Sequence, residues 1–214
     1  MKLANFNLMT RLVIAFMFLV TPELLDARNK LHEGGGSQLA KPSARPEKAY
    51  FIHSTGNLWT TVSNFGSVGD PNSASAGRPS MQWPGGASSN YLYDGGIWIG
   101  TLIGGDPIVT SYFYNPDQEY FPTTGFPGEL GTTVGGSKAK SLEDSYMIFD
   151  DLESHSESSH LPLGVRIVQR GMTWSLPDYD DAVAFEYEIF NTGLNGDLTD
   201  VHVGFWYDVD VASI

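Results

Sequence analysis

Carboxylates are the residues of this 214-residue chain best placed to do chemistry. Asp178, Asp180 and Asp181 stand just before an alternating apolar run, Val183–Phe190, and Asp208 and Asp210 lie at the end of another, Val201–Val211. The Asn195-Gly196 pair between them predicts an antiparallel hairpin. With Ile189 opposite Val201 or Val203, Asp210 falls opposite Asp180 or Ala182, and the carboxylates gather at one end of the sheet. Like charges packed so closely repel, and a raised pKa or a bound cation relieves the repulsion. Flexible oxygen ligands suit Ca2+, which makes Asp178, Asp180, Asp181, Asp208 and Asp210 candidate calcium ligands. The plainer alternative is a solvated acidic rim.

Glycoside hydrolysis also uses two carboxylates, set across a cleft. Asp178, Asp180, Glu186, Glu188, Asp208 and Asp210 are candidates, and no single pair stands out. Trp206 alternates away from the Val/Phe face of its run, and Trp83 anchors a Gly/Ser/Pro-rich stretch. Both are candidates for stacking on sugar rings, with core packing as the competing role. His155 and His160 flank a Ser/Glu stretch and read as a solvated loop rather than a metal pair. His53 and His202 read as ordinary strand residues. No nucleophile elbow, phosphate-binding loop or zinc-protease helix motif is present, so no catalytic residue is assigned.

The elements that must position these groups read as strands. From Tyr50 onward short alternating or apolar runs recur: Tyr50–His53, Asn57–Ser63, Tyr91–Tyr93, Ile97–Ile103, Ile108–Tyr114, Tyr146–Phe149, Val165–Trp174, Val183–Phe190 and Val201–Val211. β-branched and aromatic runs at this spacing predict an all-β chain, an antiparallel β-sandwich over residues 49–214. Turns are expected at Asp94-Gly95-Gly96, Gly104-Gly105-Asp106 and Asn195-Gly196, where glycine supplies positive φ. Residues 64–90, 115–141 and 150–162 read as loops, the last of them acidic and solvated. A boundary between two β modules is possible near residues 125–140.

The chain ahead of the sandwich reads as an export signal and a leader. Lys2 and Arg11 precede the apolar run Leu12–Val20, broken by Thr21-Pro22, and Ala27 offers a small residue for cleavage. Nine apolar residues span only ~13 Å of helix, well short of a ~30 Å hydrocarbon core, so no membrane span is expected after removal of residues 1–27. Residues 28–48, with three glycines in a row and two spaced prolines, read as a flexible leader. Export implies a secreted or cell-surface protein.

Composition narrows the partners. The formal charge is −13, from 12 basic and 25 acidic residues. Residues 49–214 carry 5 of those basic and 21 of those acidic residues, a net of −16. Such a surface disfavours nucleic acid and anionic membranes and attracts divalent cations. With no cysteine, disulfides, thiolate metal sites, a cysteine nucleophile and N-terminal lipidation are excluded.

Two groups of segments carry a resemblance. One comprises Gly56-Asn57-Leu58-Trp59, Asn64-Phe65-Gly66, Pro79–Gly86 and Tyr91–Gly100. The other comprises Leu161–Arg170, Tyr179–Glu188 and Val201–Asp210. Over residues 50–211 the chain resembles the N-terminal region of large secreted or surface β-rich proteins of Bacteroidetes-type bacteria, which often end in a type IX secretion sorting domain. The resemblance implies an exported surface module and assigns no catalytic residue. This chain lacks the sorting domain and stops at Ile214 directly after a strand, so truncation at the C-terminus is expected. The function expected is a non-catalytic structural or adhesive module contacting glycans or other surface proteins. The alternatives are a carbohydrate-binding module or part of a secreted polysaccharide-degrading enzyme.

Overall fold

The computed structural model describes residues 45–112, 118–123, 131–134, 139–153 and 161–210. Among these, the strands in chain order are β1 (Tyr50–His53), β2 (Thr60–Ser63), β3 (Ser67–Val68), β4 (Leu92–Ile103), β5 (Asp106–Ser111), β6 (Phe121–Pro122), β7 (Gly131–Val134), β8 (Glu143–Asp150), β9 (Val165–Thr173), β10 (Val183–Asn191) and β11 (Thr199–Val209). A single turn of helix, α1 (Ser73–Ala76), lies between β3 and β4 and closes on Gly77 in the left-handed region. All strand pairs are antiparallel. One sheet runs β1-β2-β3-β4-β11, with β5 beside β3 on the same flank of β4. The other runs β10-β9-β8, and β6 and β7 share the far flank of β8.

The two sheets pack face to face as an all-β sandwich. One apolar cluster joins Phe65, Ile97, Ile99 and Tyr112 of the first half of the chain to Tyr120, Phe149, Leu163, Val165 and Ile167 of the second. A smaller one joins Val62, Val68 and Leu92 to Met147. Alternation explains both: one face of each strand is apolar and must be covered by the opposing sheet.

The predicted hairpin between β10 and β11 does not form. β10 pairs with β9, from Val183 opposite Thr173 to Asn191 opposite Val165, and β11 pairs with β4. The two strands belong to different sheets and meet across the core, where the rings of Tyr187 and Phe205 lie 5.1 Å apart. The connection between them is tied elsewhere. The Thr192 amide and hydroxyl both donate to the Gly164 carbonyl, and the Asn195 amide donates to the carbonyl of Pro162. Alternation established two half-buried strands but not which neighbour each would choose.

Two further expectations are corrected. Asp94-Gly95-Gly96 is not a turn but lies within β4, near its start. A Cβ on Gly95 would lie 2.3 Å from Tyr207 Cδ1, and one on Gly96 2.5 Å from Tyr112 Cβ, so these glycines serve close packing. The acidic stretch after β8 is not solvated where it begins, because Asp150 and Asp151 are fully buried. Asp150 pairs with Arg45 and Arg166, and Asp151 accepts from the amides of Leu163, Gly164 and Val165. The turn at Gly104-Gly105 is as expected, with both glycines at positive φ in the β4–β5 hairpin. The short β3, β6 and β7 fall in stretches read as loops.

Candidate functional site

Three loops converge beside the start of β10. The amides of Asn57 and Leu58 both donate to the Asp180 carbonyl. The Asn57 side-chain amide and the Trp83 indole N–H donate to Asp181 Oδ1 at 2.8 and 2.6 Å. These two donors hold the Asp181 carboxyl below the usual carboxylate range, the Trp83 bond foremost. Trp59 is fixed in turn by its indole bond to the Gly56 carbonyl and by Gly85, whose hydrogen lies where a Cβ would strike the ring. Trp83 is half-buried here, while Leu176 and Tyr179 in the turn before β10 are 59% and 61% exposed. The corner is an ordered polar and aromatic surface, its indole orientation set by Asp181.

The candidate calcium ligands are not assembled as the hairpin would have them. Asp178 is exposed at positive φ, Asp180 uses its carbonyl, and Asp181 is engaged by Asn57 and Trp83. Asp208 stands opposite Asp94 in the β4–β11 ladder, and the Asp210 amide donates to the Tyr91 carbonyl. Among the described residues no three His, Asp or Glu side chains form a group able to hold a metal ion. Trp206 lies opposite Gly96, half-buried, some distance along the chain from the Trp83 corner. His155 and His160 lie outside the described residues.

Asp94 was not a candidate on sequence, yet it is fully buried with one carboxylate oxygen unpartnered. Its other oxygen accepts from the Tyr112 hydroxyl at 3.2 Å. Burial raises its pKa, the Tyr112 bond opposes that rise, and Asp208 adds to it.

A second unforeseen cluster spans the sandwich. His53 on β1 is fully buried, with Nε2 2.8 Å from Ser145 Oγ on β8 and Nδ1 3.2 Å from Thr173 Oγ1 on β9. Glu143 Oε2 lies 3.6 Å from Nδ1 and accepts from the amides of Ser54 and Thr55 and from the Thr173 hydroxyl. Burial alone would raise Glu143, but His53 and those amides outweigh it and hold the carboxyl down at about 2. Ser145 Oγ also accepts from the Gly171 amide, which ties the cluster to β9. Serine, histidine and glutamate stand in the order of a nucleophilic triad, but Ser145 and His53 have no exposed surface. A Cβ on Gly171 would already lie 2.5 Å from Nε2, so the Gly171 backbone occupies the space a substrate would need. The cluster is a polar pin between sheets.

The open side of the sandwich is the edge formed by β10 and β11. Val203 stands opposite fully buried Ile99, on the core side of its strand, yet is 46% exposed, and Val201 is 44% exposed. Beyond the Tyr187–Phe205 contact the two sheets leave this end of the core side uncovered. Among the described residues, no helix is long and apolar enough to cross a membrane. The chain matches no protein-family model, no curated protein and no solved structure.

Proposed function

We propose that this chain is a non-catalytic β-sandwich module of an exported bacterial surface protein, acting in structure or adhesion. The observation that carries the reading is the β11 edge: Val203, on the core side of this long edge strand, and its neighbour Val201 remain exposed, as on a surface awaiting a cover. The buried pin at His53 supports it, because the residue types suited to acyl transfer are spent on holding the sheets together. The signal-like Leu12–Val20 run and the resemblance of residues 50–211 to exported β-rich proteins support export and a surface location. The test is a polysaccharide and ester hydrolase screen of the purified protein, alongside its binding to whole bacterial surfaces. Surface binding without turnover is expected, and turnover of any substrate would overturn the reading.

A second reading, glycan binding, draws on Trp83. Its indole is oriented by Asp181, and exposed Tyr179 stands two residues before that aspartate, aromatic groups suited to stacking on a sugar face. A glycan array that lights up for wild type and goes dark for Trp83→Ala would favour it, and a blank array would exclude it.

A further inference from the structure

The β11 edge also specifies what should cover it. Strands β4, β5, β10 and β11, with the β10–β11 connection, hold seven carboxylates, Asp94, Asp106, Glu186, Glu188, Asp197, Asp200 and Asp208, and no lysine or arginine. Among the described residues, Glu186 alone of these seven is ion-paired, with Lys140 from before β8. Apolar area is exposed at the same place, at Val203 on the core side, at its neighbour Val201 and at Leu102 on the outer face of β4. An occupant must therefore offer alternating apolar side chains and positive charge.

A second copy of the chain does not fit. Self-pairing along β11 would bring two copies of the same acidic edge together, each with Asp197, Asp200 and Asp208 and no lysine or arginine. Like charges directly opposite are destabilising in a ladder. The same carboxylates that bar self-pairing favour a basic strand, and strand addition to an exposed edge combines main-chain bonds with side-chain selection.

We propose that β11 is a docking edge for an extended, basic, apolar-alternating segment of another protein, which adds a strand beside β11 and covers Val201 and Val203. This rests on the reading of the chain as a non-catalytic module and names its partner's chemistry. The probe is a synthetic peptide of about seven residues alternating lysine and valine, a length typical of a strand, with a glutamate–valine peptide as control. Binding is read by fluorescence anisotropy on the 214-residue chain. The lysine peptide is expected to bind roughly tenfold or more tightly than the glutamate peptide. Asp200→Lys with Asp208→Lys reverses that preference, and Val201→Ser with Val203→Ser weakens the lysine peptide by about tenfold.

Equal binding of the two peptides overturns the proposal. So does binding indifferent to the valine changes, which means charge attraction alone, or a dimer in sedimentation equilibrium that the peptide does not dissociate. All variants are at exposed positions, and a cooperative melting transition with a wild-type circular dichroism spectrum confirms their fold. Failure of the peptide in a protein that shows no turnover removes this occupant and leaves the module reading standing, whereas turnover in the hydrolase screen removes the module reading itself.

Discussion

His53 Nε2 on β1 lies 2.8 Å from Ser145 Oγ on β8, a polar bond that crosses between the two sheets inside the core. Replacing His53 by alanine strands the hydroxyls of Ser145 and Thr173 and opens a cavity. The expected cost is about 3 kcal/mol in urea unfolding. His53→Phe fills the volume without the bonds, so an equally large loss there assigns the effect to the polar pin rather than to packing.

The Glu143 carboxylate in the same cluster gives the protein an acid-sensitive element. Its folded-state pKa of about 2 lies below the ordinary 4.5, so its contribution is full above 4.5 and is lost as pH falls through about 2. Glu143→Gln should be less stable than wild type by roughly 2 kcal/mol at neutral pH. That gap should close between pH 4.5 and 2; a gap independent of pH would show that the charge is not what matters.

Asp94 works in the opposite sense. Its pKa is raised by burial and by Asp208, so its ionised form opposes folding once pH exceeds the ordinary 3.8. Asp94→Asn keeps an acceptor for the Tyr112 hydroxyl and removes the buried charge. The variant should melt above wild type at neutral pH, with the advantage fading on acidification, as followed by circular dichroism.

Gly96→Ala should cost about 3 kcal/mol, because the new methyl meets Tyr112 Cβ at 2.5 Å and the Gly66 carbonyl oxygen at 2.7 Å. Gly104→Ala meets no atom within 4 Å but sits at φ 63, so its smaller cost, about 1 kcal/mol, is conformational. Denaturation midpoints of the two variants separate crowding from backbone strain.

Gln169 on β9 is fully buried with neither its amide nitrogen nor its oxygen hydrogen-bonded. Gln169→Met keeps the volume and removes two unsatisfied polar atoms. A gain of about 1 kcal/mol in unfolding free energy is expected, and a loss would mean that the amide has partners in solution.

Strand existence was legible because period-two alternation survives in β9, β10 and β11 whatever their partners. Partner choice was not, since β10 and β11 carry the same pattern whether they hydrogen-bond or face each other across a core. Asp94-Gly95-Gly96 reads as a turn on composition, and only the rings of Tyr207 and Tyr112 reveal why side chains are missing there. Asp181 and Trp83 were singled out separately, for metal and for sugar, and the fold joins them by one bond. His53, Ser145 and Glu143 lie 92 and 90 positions apart along the chain from the histidine, with no spacing motif to connect them. The exposure of Val203 is likewise a property of where the second sheet ends.

The β4–β11 ladder joins Ile97 to Phe205 and Leu92 to Val209, residues more than a hundred positions apart. Local contacts cannot begin that pairing, and closing so long a loop before any reward is a slow step. During synthesis β4 finds β3 and β5 almost at once, but its other edge, with Ile97 and Ile99 beside it, waits for β11, about a hundred residues further along. The first sheet is thus completed only when β11 joins it, and a nascent chain halted before Thr199 carries an unsatisfied apolar edge, open to aggregation or to a chaperone's grip.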